Sequence, residues 1–364
     1  MCCTFRILCN LHKKHKGVWI MAYITFQPND YFNTKLFTGT GSSNAVTGVG
    51  FRPDWLWIKN RSTTSSHIVQ DVVRGATKQV YPDLNNAEVT GSDGVSSFDS
   101  DGFTVGTGAS FNGNGNNIVA WNWLAGGSQG SSNTDGSINT TYTSANTTSG
   151  FSISTYTGTG SNATIGHGLG VAPKVVLVKR TNTTGNWTMY HIGSGATKYL
   201  YLNQTAAEAS ASSIWNDTAP TSSVFSVGTD GEVNASGSTY VAYCFASIKG
   251  FSKFGVYYGD ASADGPFIYT GFKPGLIILK RAGNAGNNWN MIDSKRSPSN
   301  DVDKILFPSS TDAEVTTTVA DINSTGFKIR LTSSGWNHNQ DKFIYMAFAE
   351  EPLVSSNNVP ATAR

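Results

Sequence analysis

Charge is scarce in this chain: Asp, Glu, Lys and Arg make up 14% of its 364 residues, against roughly a quarter in typical globular proteins. Polarity comes instead from Ser, Thr, Asn and 39 glycines, a composition that suits strands joined by many tight turns. The first 20 residues hold Arg6, Lys13, Lys14 and Lys16 and no acid, and without those four the body has 22 basic residues against 24 acidic. Such a near-neutral body lacks the clustered cations through which nucleic acid is bound, so nucleic acid is excluded as a partner. Cysteine is nearly absent from the body too: Cys2, Cys3 and Cys9 lie in the first 20 residues and only Cys244 beyond them, which excludes a disulfide framework. No run of 18 or more apolar residues occurs, so no membrane insertion is expected. GxSxG, P-loop and HExxH strings are missing and the six histidines are scattered, so no catalytic residues, no metal site and no cofactor are expected.

The first 20 residues place a short apolar run before a basic cluster, the reverse of a secretory signal. They read as a non-native or disordered leader, with translation expected to begin at Met21. The length exceeds the usual size of one hydrophobic core, which predicts two or three domains.

Internal repeats settle how many. GFRPDWLWIKN (50–60), GVAPKVVLVKR (170–180) and GFKPGLIILKR (271–281) each set a proline, Pro53, Pro173 or Pro274, six residues before a lysine, Lys59, Lys179 or Lys280. Downstream, Lys78, Lys198 and Lys304 each stand ten residues before Glu88, Glu208 and Glu314, with alanine preceding every Glu. A closing apolar strand follows: IVAWNWLA (118–125), YVAYCFA (240–246) and FIYMAFA (343–349). The repeats run over 31–125, 150–247 and 251–350, with a Gly/Ser/Thr/Asn-rich linker at 126–149 and a tail at 351–364. Trp55 and Trp57 alternate with Leu56 and Ile58, so the post-proline strands are apolar on both faces and belong inside a two-layer structure. The lysine ending each one is expected to limit edge pairing. Helical periodicity is not sustained anywhere. The fold class is therefore all-β, with three tandem β-sandwich repeats of jelly-roll or concanavalin-like character.

The best acid/base grouping is His67, Asp71, Arg74, Lys78 and Glu88 in the first repeat. Its counterparts drift to Trp187, His191 and Ser194 in the second repeat and Trp289, Asp293 and Arg296 in the third, while the Lys and Glu ten apart persist. Persistence of the scaffold with drift of the chemistry points to a structural ion pair rather than catalysis. FDSDGF (98–103) resembles the start of a calcium loop but lacks the later bidentate Glu and reads as a turn. GHGLG (166–170) leads into a strand, not a phosphate-binding helix, and is a turn as well. Aromatic faces can stack on sugars, and Trp187, Trp215, Trp289 and Trp336 fall in loop-like polar strings, which makes them the candidate ligand-binding residues.

From Met21 onward, YFNTKLFTGTG, GFRPDWLWIKN, VRGATK, SFDSDGFT, GTGSNATIGHGLGVAPK, WNDTAPTSSVFSVGT, KGFSKFGVYYG and VPATAR resemble a three-repeat, virion-associated protein family common in marine tailed bacteriophages, of cyanophage and pelagiphage type. The likeness covers residues 21–364. It implies a non-enzymatic virion structural protein, a tail fibre or appendage or a head-surface element, assembled in the host cytoplasm. It implies other virion proteins as partners, leaves a host-surface glycan or protein and homo-oligomerisation open, and carries over no catalytic residues. The alternative is a glycan-binding adhesin module using loop aromatics.

Overall fold

The computed structural model describes residues 26–352. The expected leader at 1–20, the expected start at Met21 and nearly all of the tail lie outside the described residues. The chain is all-β, with a few single-turn helices.

Each repeat builds one inner antiparallel sheet around four shared strands, extended to seven in the second repeat: an opening strand (Phe32–Thr38, Phe151–Thr157, Ser252–Tyr258), the post-proline strand (Trp55–Asn60, Val175–Arg180, Phe272–Arg281), a third strand (Ile68–Asp71, Trp187–His191, Asn290–Asp293) and the closing strand (Asn117–Trp123, Thr239–Phe245, Lys342–Pro352). Their spatial order is opening, closing, post-proline, third in all three copies. Registers coincide as well: Trp55, Val175 and Leu276 face Trp123, Phe245 and Phe348. A smaller outer sheet covers one face of each inner sheet, formed in the first repeat by Asn44–Thr47, Gly102–Val105 and Val95–Asp99.

The period-2 alternation decides what each face does. Leu56, Ile58, Ile118 and Ala120 point outward into a core belonging to the first repeat alone. Trp55, Trp57, Trp121 and Trp123 point inward, where they meet Leu177, Tyr243 and Phe245 of the second repeat and Leu276, Ile278 and Phe348 of the third in one core. Three inner sheets thus surround a common centre, and that centre is filled: only about 10 Å³ remains open there. The repeats share their largest apolar surface instead of standing as self-contained sandwiches. Sequence patterning shows both faces to be apolar, but it does not show that the second face belongs to a neighbouring repeat.

The 126–149 segment lies against the second repeat. Its strand Tyr142–Asn146 pairs with the opening strand Phe151–Thr157, and Ile138 bridges Ile165 on the outer sheet, so both exposed edges are covered. The post-proline lysines do not guard an edge. Their strands sit between the closing and third strands, and Lys59, Lys179 and Lys280 are fully buried.

Candidate functional site

Buried lysines and the repeated glutamates recur in cyclic order where one repeat meets the next. Lys179 of the second repeat donates to the Asn85 carbonyl of the first at 3.4 Å and to Gly185 at 2.9 Å. Lys280 of the third donates to Thr205 of the second at 3.4 Å. Lys59 of the first donates to Thr311 of the third at 3.0 Å and to Ser65 at 2.6 Å. The acceptors Asn85, Thr205 and Thr311 each precede the repeated Glu by three residues. That Glu then bonds onward through its backbone, Glu88 N–H to Thr181 O at 2.8 Å, Glu208 to Ala282 at 2.9 Å and Glu314 to Arg61 at 3.0 Å. First binds second, second binds third, and third binds first, so the ring is closed. Burial pushes all three ammonium groups down to about 8. A desolvated cation is tolerated there because carbonyl oxygens surround it.

The acid/base grouping of the first repeat belongs to the same system. Asp71 ends its third strand and accepts from the Tyr243 hydroxyl of the second repeat at 2.7 Å and from Arg74 Nε at 2.6 Å. Arg74 reaches on to Glu88 at 3.0 Å. In the third repeat Asp293 accepts from the Trp121 indole of the first at 3.0 Å and from Arg296 at 2.5 Å, and Arg296 reaches Glu314 at 3.1 Å. In the second repeat His191 takes the place of the aspartate, and its Nε2 meets the Tyr345 carbonyl of the third at 3.1 Å. Burial pushes this imidazole down to about 4, helped by the Lys342 charge and opposed by the Tyr345 carbonyl and Glu208. With Ser194 where the arginine should be, Glu208 draws Lys342 across from the third repeat at 2.6 Å and Lys198 at 2.5 Å. The persistent Lys and Glu pair directly in two copies, Lys78 to Glu88 at 3.4 Å and Lys198 to Glu208. In the third copy Lys304 turns to Asp303 and Thr316 instead.

The four tryptophans expected to bind ligand are buried, which corrects that expectation. Trp187 and Trp289 are 0% exposed, and their indoles donate to Tyr81 O at 2.7 Å and Tyr201 O at 3.0 Å in the preceding repeat. Trp215 packs into the second repeat's own core and Trp336 into the third's. Their polar sequence surroundings reflect the loops beside them, not their own faces. The signature prolines lead into buried strands, with Pro53 and Pro173 just before them and Pro274 inside the third.

One repeated residue escaped the sequence reading. Asn112, Asn234 and Asn337 end single-turn helices and are fully buried. Each side-chain oxygen accepts from the glycine-rich turn after the opening strand, from Thr40 N at 2.8 Å, Thr159 N at 2.8 Å and Asp260 N at 2.9 Å. Their Nδ2 groups donate back to backbone carbonyls such as Gly106 O and Gly228 O, both at 2.8 Å. The signal was available: each Asn stands nine residues before the matched closing-strand residues Trp121, Tyr243 and Met346. Of the FDSDGF acids, Asp99 ends a strand and accepts from the Ser97 and Thr104 hydroxyls, both at 2.8 Å, and Asp101 sits in the turn, accepting from Gly48 N at 2.9 Å and Gly50 N at 2.7 Å.

Among the described residues no group of three or more His, Cys, Asp or Glu side chains is placed to hold a metal. A cleft of about 170 Å³ opens between the first and third repeats, lined by Asn33, Thr34, Gly275, Lys295 and Glu350. It sits where the third repeat has Gly275 in the position of Asp54, the carboxylate that in the first repeat accepts from Ala125 N and Gly127 N. Among the described residues no helix is long and apolar enough to cross a membrane.

Residues 27–352 match a family described as "Domain of unknown function (DUF7483)". The chain belongs to that family. No curated protein matches it. A solved structure described as "Crystal Structure of the STIV MCP" aligns over 87% of this chain and 95% of that one, at 9% identity and a TM-score of 0.17. A score that low bears on neither fold nor function.

Proposed function

We propose that this member of the DUF7483 family is a non-enzymatic structural protein of a bacteriophage particle, either a tail fibre or appendage or a head-surface element. The observation that carries this reading is the use made of the repeated residues. Lys59, Lys179 and Lys280, the repeated glutamates and the Asp71, His191 and Asp293 positions are occupied in joining repeat to repeat, and His67, Asp71 and His191 are fully buried. A general acid or base must reach its substrate, and these groups are enclosed. A ring with one shared core is a rigid spacer or cap, which suits a particle component assembled in the host cytoplasm beside other virion proteins. The resemblance of its strings to marine phage proteins supports the same reading. Mass spectrometry and antibody labelling of purified particles should find the protein there at stoichiometric level; its absence from intact particles rejects the proposal.

A glycan-binding adhesin remains the second reading, on a different set of aromatics. Tyr258, Phe267 and Tyr269 are 59%, 47% and 53% exposed. Register places them opposite Lys342, Lys328 and Gly326. In the first repeat the same registers hold Thr38, Ala45 and Thr47, so the third repeat alone presents these rings. Glycan-array binding that survives Tyr258→Ala and Tyr269→Ala together would reject this reading.

A further inference from the structure

The ring has three seams, and two of them are also joined by the chain, through 126–149 and through 247–251. Only non-covalent contacts close the seam between the first and third repeats. There Lys59 and Ser65 meet Thr311, Arg61 pairs with Glu314 at 2.7 Å, and Trp121 donates to Asp293.

This seam also departs from the other two at one position. Where Trp187 and Trp289 donate their indole N–H to the preceding repeat, the first repeat carries His67. The imidazole is fully buried. Its Nδ1 accepts from the Trp57 indole at 2.9 Å, so that nitrogen carries no proton in the closed ring. Nε2 closes no full hydrogen bond, although the Phe307 carbonyl of the third repeat favours a proton there. The charged groups around it come from both sides of the seam. Lys59 and Arg61 lie on and just past its own sheet, Asp83 accepts its backbone N–H at 2.8 Å, and the third repeat presents Asp312 and the Arg296 cation bound to Asp293 and Glu314.

We propose that the seam between the first and third repeats is an acid-sensitive latch, released when His67 takes a proton. A proton on Nδ1 sets two N–H groups head to head with Trp57 and adds a third buried cation beside Lys59 and Arg296. Burial first, then those two cations, hold the closed imidazole well below its ordinary value. Once the seam opens, the ring returns toward an ordinary histidine near 6.5. The contribution of His67 to closure is therefore complete above about pH 6.5 and falls as pH drops below it, the opening equilibrium growing up to about tenfold per pH unit. The latch lets the ring part at the first-to-third seam, because the chain itself spans the other two seams.

Hydrogen exchange on the full chain, corrected for intrinsic rates, tests this. Between pH 6.5 and 5.5, protection in the 61–67 and 307–314 segments should fall by about fivefold. The corresponding segments of the first-to-second seam, 85–88 and 181–187, should hold theirs. His67→Gln, whose amide can still accept from Trp57 but takes no proton, should make the first-to-third seam insensitive to pH over this range. His191→Gln should leave that seam's response unchanged. Equal loss at both seams in the wild type, or a response that survives His67→Gln, overturns the latch. If His67→Gln does not fold, the wild-type comparison between the two seams decides alone.

Discussion

At the residue scale, the molecule is held by polar side chains whose partners are far away in sequence. The Asn112, Asn234 and Asn337 side chains each fasten the turn after the opening strand to a single-turn helix. Asn112→Ala leaves the Thr40 N–H and the Gly106 carbonyl without their partner, and chemical denaturation should show a loss of about 2 kcal/mol. His191 supplies a pH signature of its own. Its folded value lies near 4 and its unfolded value near 6.5, so its contribution is complete above about 6.5 and drains away as pH falls toward 4. Folding free energies measured across that window should drop more steeply in the wild type than in His191→Gln, by a total on the order of 3 kcal/mol. Asp54 works in the opposite direction, because burial pushes it up to about 6. A comparison with the variant is therefore required, and the pH profile of the wild type alone is not enough. Asp71, Arg74 and Glu88 looked like chemistry in the sequence because proximity along the chain hides burial. Tyr243, which gives Asp71 its purpose, lies 172 residues on.

At the element scale, the strands that carry the repeat were legible and their surroundings were not. The three post-proline strands and the three closing strands stand out because they are apolar on both faces, a pattern few other structures need. Trp187 and Trp289 read as loop residues in the sequence because Asn, Thr and Gly surround them. The third strands alternate, Trp187, Met189 and His191 facing the centre, but a run of five residues among polar neighbours gives that alternation little weight. Lys59 was equally opaque, since its acceptor at Thr311 is 252 residues away. The seams also show how an element compensates for a changed residue. Ser194 removes the arginine that serves the other two glutamates, and Lys342 at the start of a closing strand takes over at Glu208. A double-mutant cycle of Lys342→Ala with Glu208→Gln should return a coupling of about 1–2 kcal/mol, because Glu208 is largely buried while Lys342 is partly exposed. A coupling near zero would remove Lys342 from that role.

At the scale of the whole molecule, a shared centre ties the fate of each repeat to the other two. Trp55 touches Tyr243 and Phe245 of the second repeat at ring-centroid distances of 5.0 Å and 5.7 Å, and Phe32 stacks on Phe348 of the third at 5.5 Å. Unfolding one repeat strips the inner faces of both neighbours. Above the pH range of the latch, tryptophan fluorescence and far-ultraviolet circular dichroism should therefore report one coincident unfolding transition. Trp55→Ala should move the entire transition by about 3–5 kcal/mol. Two or three separate transitions, with only one displaced by Trp55→Ala, would mean that the repeats are thermodynamically independent.

The meeting of Phe32 and Phe348 brings together the places where the described chain begins and finishes its circuit, and residues Pro28–Asp30 rest against the closing strand of the third repeat. Mechanical load applied through the two ends is therefore delivered to one corner. It peels the first repeat from the third across the seam that no backbone spans, and the covalently joined seams feel it only afterwards. A pulling experiment should show an early, reversible lengthening that a cross-link between those two repeats abolishes, followed by the main rupture.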